Sequence, residues 1–227
     1  MKKTRQEYIQ ELADLQQKVY QMGVRAGMAL DKAMQALIKG DTELAKEVMR
    51  EDDIIDDMII DIEDVCLLLI AKQQPIAHDL RVIATGFKIS TDIERIGDHA
   101  FDIARSAGTL TEALDAKRLG LVKELAGCAQ KMVTGAMEAY RDADVQKADE
   151  IRRLDTDMDN IFERTFHALS HYVVGETEHP EKATQMLFIA RFLERIGDHA
   201  VNIAEWVIYL ETAERIHAKK KVMKNDE

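Results

Sequence analysis

The chain has 227 residues, enough for one large domain or for two of about 100 residues, each able to bury a core. Its formal net charge is −11, from 42 acidic and 31 basic residues, and that balance excludes general binding to a phosphate backbone, which depends on Lys and Arg releasing counterions. Only two prolines, 11 glycines and 5% aromatics stand among abundant Ala, Leu, Ile, Met, Glu and Lys, so the composition favours helices over sheets.

Met1-Lys2-Lys3-Thr4-Arg5 leads into no apolar segment, and the longest uninterrupted apolar run is Val65 to Ala71. Neither a signal peptide nor a membrane span is expected. Cys66 and Cys128 lack metal-ligand spacing and are expected as buried thiols of a cytoplasmic protein.

In chain order, apolar residues recur at helical spacing from Leu12 and Leu15 to Leu37, and Gly40 supplies a stop. Asp41 is a candidate N-cap for a second helix, with Leu44, Val48, Ile55, Ile62 and Leu69 behind it as far as Gln73-Gln74-Pro75. A third runs from about Ile76 through Ile83, Ile93, Ile96 and Ile103 to Gly108. The plan then repeats, with helices from about Leu114 to Tyr140, Asp144 to Val173 and Pro180 to Ile216, and a loop across residues 175–180.

This is a duplication. Glu94-Arg95-Ile96-Gly97-Asp98-His99-Ala100 recurs as Glu194-Arg195-Ile196-Gly197-Asp198-His199-Ala200, and Asp41, Ala45, Val48, Asp52 and Asp56 recur as Asp144, Ala148, Ile151, Asp155 and Asp159. The expectation is an all-α fold of two tandem, pseudo-symmetric three-helix bundles, residues 1–110 and 111–227, made of six long antiparallel helices.

Glu94, Asp98 and Asp102 lie four apart and share a helix flank, as do Glu194, Asp198 and Asn202. The preceding helix of each half carries a matching pair, Asp52 with Asp56 and Asp155 with Asp159. In an antiparallel hairpin at Pro75, Asp56 and Glu94 are equidistant from the turn, as are Asp52 and Asp98. The bundle's hand decides whether these flanks converge or splay. Converging, they form an all-oxygen patch suited to hard or borderline cations such as iron, manganese, magnesium, calcium or zinc. The bland reading is a solvated acidic face with Arg95 and Arg195 paired to Asp98 and Asp198.

His99 and His199 fall off the stripe, and a helix-surface position or interhelix hydrogen bonding is the better reading for them than ligation. Gly97 and Gly197, in mid-helix, point to close helix packing. No nucleophile elbow, phosphate-cradling glycine loop or His-Glu-x-x-His is present. Glu176 with His179 and Glu214 with His217 have Glu-x-x-His spacing but fall in a loop and the tail, unlike a di-iron bundle. The basic tail around Lys219-Lys220-Lys221 is read as solvated. A metal-dependent phosphohydrolase and a purely structural scaffold remain as alternatives.

The doubled Glu-Arg-Ile-Gly-Asp signature, the Lys72-Gln73-Gln74-Pro75-Ile76-Ala77-His78-Asp79-Leu80-Arg81 hairpin and the ending Asn202-Ile203-Ala204-Glu205-Trp206 together resemble the PhoU family of phosphate-specific transport system accessory proteins. The resemblance implies a non-enzymatic, cytoplasmic homodimer that negatively regulates phosphate uptake and phosphate-starvation signalling. It implies partners in the ATPase subunit of a phosphate ABC transporter and in a sensor histidine kinase, with any membrane association made through them. It also implies a multinuclear metal cluster on each half, iron or zinc foremost, held by Asp52, Asp56, Glu94, Asp98 and Asp102 and by Asp155, Asp159, Glu194 and Asp198. Asn202 stands where the first half has Asp102, which implies a weaker second cluster, whereas Asp56 replaces a common Asn and strengthens the first.

Overall fold

The computed structural model describes residues 2–110, 116–175 and 180–216. They form six helices and no strand: α1 (Lys2–Lys39), α2 (Thr42–Gln73), α3 (Ala77–Thr109), α4 (Ala116–Asp142), α5 (Val145–Gly175) and α6 (Pro180–Thr212). The expected all-α architecture stands. The start proposed at Leu114, the loop beyond Gly175, Glu176, His179, His217, the basic tail and most of the expected 109–113 boundary lie outside the described residues.

Local chemistry sets the helix ends. Asp41 is an N-cap whose carboxylate accepts from the backbone N–H groups of Glu43 at 3.2 Å and Leu44 at 3.0 Å, satisfying donors the helix leaves open. Asp144 does the same for Lys147 N–H at 3.0 Å. Before each cap the chain turns left-handed, at Gly40 with φ 67° and at Ala143 with φ 52°. The last helix stops at Thr212, short of the expected Ile216, because Ala213 adopts φ 61°.

Packing follows the duplication. Helix α2 touches only α1 and α3, and α5 touches only α4 and α6. The halves join through α3 against α6 and α1 against α4, so a four-helix centre is flanked by α2 on one side and α5 on the other. Leu15, Met22, Ile55, Ile62, Ile83, Ile93 and Ile96 are fully buried, as are Leu125, Met132 and Ile196. Cys66 belongs to this core, and burial pushes its thiol up to about 12. Cys128, expected to be buried, is only half-buried, because it faces a shallow groove between α4 and α5 lined by Leu154, Asp157 and Ile161. No described helix is long and apolar enough to cross a membrane.

Candidate functional site

The carboxylates of the first half converge where α2 crosses α3 at Gly97. A Cβ there would stand 3.1 Å from Ile55 Cδ1 and 3.3 Å from Asp52 Oδ1, so the missing side chain is what lets the Asp52 carboxylate lie against α3. Its carboxyl is pushed up to about 6, first by burial and then by the negative charges of Asp56, Asp98, Asp53 and Glu94. Asp56 is raised by burial, then by Asp98, Asp53 and Asp57. Burial also raises Glu94; Asp98 and Asp56 reinforce the shift, and Arg95 and His199 oppose it. Asp102 is raised by burial and by Asp98, with Arg105 opposing. The hand of the bundle therefore brings the two flanks together. The stripe is half-buried, not a fully solvated acidic face, because α2 covers one side.

Cations on the same helix hold part of this charge. Arg95 lies 3.3 Å from Glu94 and 2.8 Å from Asp98, and Arg105 donates to Asp102 at 2.6 Å. The bland pairing expected from the sequence is thus real and coexists with the cluster. As the side chains are placed, no three His, Cys, Asp or Glu residues among the described residues stand as a ready ligand set.

The second half repeats the scaffold with different charge. Gly197 meets Met158, whose Cγ would lie 3.0 Å from an added Cβ, so α5 crosses α6 as α2 crosses α3 and carries Asp155 and Asp159 to the same flank. Glu194 is buried and accepts from Arg191 Nη1 at 2.9 Å, while Arg195 reaches Asp198 at 3.4 Å. Arg191 also lies 5.7 Å over the Phe162 ring. Thr91 occupies the corresponding place in half one, and Glu205 stands where half one has Arg105, so the second cation sits at the opposite end of the stripe in the two halves. Asp155 adds to the upward shift of Glu205, which is raised first by burial and opposed by Arg152.

Asn202 has a different task from Asp102. Helices α3 and α6 run antiparallel, and on their contact Asn202 Nδ2 donates to Asp92 Oδ1 at 3.0 Å while His199 Nδ1 bonds the same oxygen at 2.9 Å. The related position to Asp92 is Phe192, which stacks on His99 at 5.7 Å. His99 and His199 face each other at 5.8 Å. An Asp at 202 would oppose Asp92, which is the physical reason for the amide. His99 is held down to about 4, by burial first and by His199 next, with Arg195 and Arg95 adding to it and Asp98 opposing.

Sequence reasoning missed Asp92, Arg191 and Glu205. Superposing the halves was the available signal: each replaces an uncharged or oppositely charged residue, Asp92 against Phe192, Arg191 against Thr91 and Glu205 against Arg105.

Comparison with known proteins bears on the fold and the family. The PhoU domain model matches twice, over residues 19–107 and 122–207. A phosphate-specific transport system accessory protein PhoU homolog of Clostridium acetobutylicum is 38% identical over 217 residues, covering 94% of this chain and 98% of that protein. One from Pseudomonas aeruginosa is 35% identical over 206 residues, covering 90% and 85%. The crystal structure of PhoU from Pseudomonas aeruginosa superposes with a TM-score of 0.88 at 34% identity, over 91% of this chain and 100% of that one. The phosphate transport system regulatory protein PhoU from Streptococcus pneumoniae gives 0.85 at 27%, over 93% and 100%. With the signature doubled, the six helices in place and both halves matched, the chain belongs to the PhoU family.

Proposed function

We propose that the chain is a non-enzymatic accessory protein of a phosphate transport system, a metal-binding adaptor that represses uptake and starvation signalling by contacting a transporter ATPase subunit and a sensor histidine kinase. The accessory role follows from the names its relatives carry. The single observation behind the metal is the convergence of Asp52, Asp56, Glu94 and Asp98 from two helices, with three of those carboxyls raised by burial and mutual repulsion. Such a set is only partly neutralised by Arg95 and presents only oxygen donors, which fits iron or zinc first and manganese, magnesium or calcium as further cations.

A cation cluster supplies the remaining positive charge and cross-links α2 to α3. Asp52, Asp56, Glu94, Asp98 and Asp102 would hold it in half one, after Arg95 and Arg105 release their partners. In half two the holders are Asp155, Asp159, Glu194 and Asp198, with Glu205 beside Asp155 offering the carboxylate that Asn202 does not. Regulation then acts through protein contact, by a homodimer on the cytoplasmic side. Hydrolysis of phosphate esters has less support, because the sequence has neither a nucleophile elbow nor a phosphate-cradling glycine loop.

Co-purification at high and at low phosphate, with the retained proteins identified, tests the adaptor. Recovery of the ATPase subunit or the kinase in at least one condition is expected. Loss of neither partner on Asp98→Asn/Asp198→Asn substitution would separate the metal from the contact, and absence of both partners under both conditions would overturn the adaptor.

A further inference from the structure

The outer face of α2 is a docking surface that the fold itself does not require. Asp53, Asp57, Ile60, Asp64, Leu67 and Ala71 recur at alternating steps of four and three, the spacing of a helix-packing seam. Ile60 and Leu67 are each 58% exposed, Leu68 is 49% exposed, and Ile76 at the adjoining hairpin is 76% exposed. The face turns away from the core side marked by Ile55, Ile62, Cys66 and Leu69. In the second half, Ile60, Leu67 and Leu68 correspond to Glu163, Ser170 and His171. The apolar surface is therefore a property of half one and not of the helix hairpin.

Charge identifies the occupant. From Glu51 to Asp64 the helix carries eight carboxylates, and no Lys or Arg occurs from Glu51 to Ala71. Helix α1 neutralises two of them, Lys18 at Asp61 and Lys32 at Glu51. Asp53, Asp57 and Asp64 are exposed, and no basic side chain is paired with them among the described residues. A second copy laid on this face about a twofold axis brings only Lys72, at the end of α2, to face the exposed Asp53, Asp57 and Asp64, so most of the acidic segment stays unmatched.

We infer that this face binds an amphipathic helix of a partner protein, one with Leu- or Ile-type anchors at helical spacing flanked by Lys or Arg. The apolar half of the seam, from Ile60 to Ile76, takes the anchors, and the acidic half from Asp53 to Asp64 takes the basic flank, the helix-in-groove mode of recognition. Electrostatics sets the register and the rate of encounter. The inference rests on the adaptor reading only in expecting such a partner; the apolar anchors Ile60, Leu67 and Leu68 lie outside the candidate metal site.

The test uses fluorescence anisotropy of a labelled 18-residue Lys/Leu peptide with one apolar helical face, beside a peptide of the same composition whose order abolishes that face. At physiological salt the full chain is expected to bind the amphipathic peptide at least tenfold more tightly than the scrambled one. Ile60→Glu/Leu67→Ser/Leu68→His, which installs the residues of half two at exposed positions, is expected to remove that preference, and Asp57→Asn/Asp64→Asn to weaken binding and flatten its salt dependence. Equal binding of both peptides, or an unchanged preference in the triple variant, would overturn the inference. Sedimentation of the same proteins supplies the other contrary result: a wild-type dimer that the triple variant converts to monomer makes the occupant a second copy. The triple variant changes no candidate metal ligand or neighbouring carboxylate, so its failure is distinguishable from failure of the adaptor's metal site.

Discussion

Two ionisable residues at the α2–α3–α6 crossing pull stability in opposite directions over one pH window. Asp52 has an ordinary value of 3.8 and stands near about 6 when folded, so between those values the folded state holds the extra proton and stability falls as pH rises. His99 goes from 6.5 to about 4; there the unfolded state holds the extra proton, and stability rises with pH. Their offset predicts a shallow wild-type dependence between pH 4 and 6.5 from these two groups. Thermal melts of Asp52→Asn should gain stability relative to wild type as pH increases through the window, whereas His99→Gln should lose it. At Asn202, whose amide lies 3.0 Å from Asp92, Asn202→Asp should cost roughly 1 kcal/mol at low salt by like-charge repulsion, less at high salt, measured by denaturant unfolding. The candidate carboxylates were legible in the sequence from spacing and repetition. Asp92 was not, because its meaning depends on which residue of α6 lies opposite, and no period within α3 encodes that.

At the scale of the helix, the duplication supplies internal controls. Gly40 and Ala143 occupy the same left-handed turn, at φ 67° and 52°, and an L residue is strained there. Ala143→Gly should therefore stabilise the chain by about 0.5–1 kcal/mol, seen as a rise in Tm. The two signature glycines differ in what an added methyl would strike. Gly97 faces the stiff, β-branched Ile55 and the Asp52 carboxylate, whereas Gly197 faces Met158, a flexible side chain that can move aside. Gly97→Ala should therefore lose more stability than Gly197→Ala in denaturant unfolding. Helix existence, the Asp41 and Asp144 caps and the stop at Gly40 were all readable, because local chemistry decides them. The end at Thr212 was not, since apolar periodicity continues to Ile216 and only the backbone at Ala213 departs from it.

For the whole molecule, the repeat made the six-helix architecture legible, but the joining of the halves through α3 and α6 was not, because apolar faces alone do not say which helices from different bundles meet. That joining makes the halves unequal: Asp92 engages Asn202 and His199 on one side and Phe192 stacks on His99 on the other, while Arg105 serves half one and Arg191 half two. On the proposed metal binding, half one, with Asp53 and Asp57 around Asp52 and Asp56, would be the stronger cation site. Elemental analysis of protein purified without chelator, comparing wild type with Asp52→Asn/Asp98→Asn and with Asp155→Asn/Asp198→Asn, tests this directly. The account predicts bound metal in the wild type, with the larger loss in the first variant and the smaller in the second; a metal-to-protein ratio that is the same in all three, or no metal in the wild type, would contradict it.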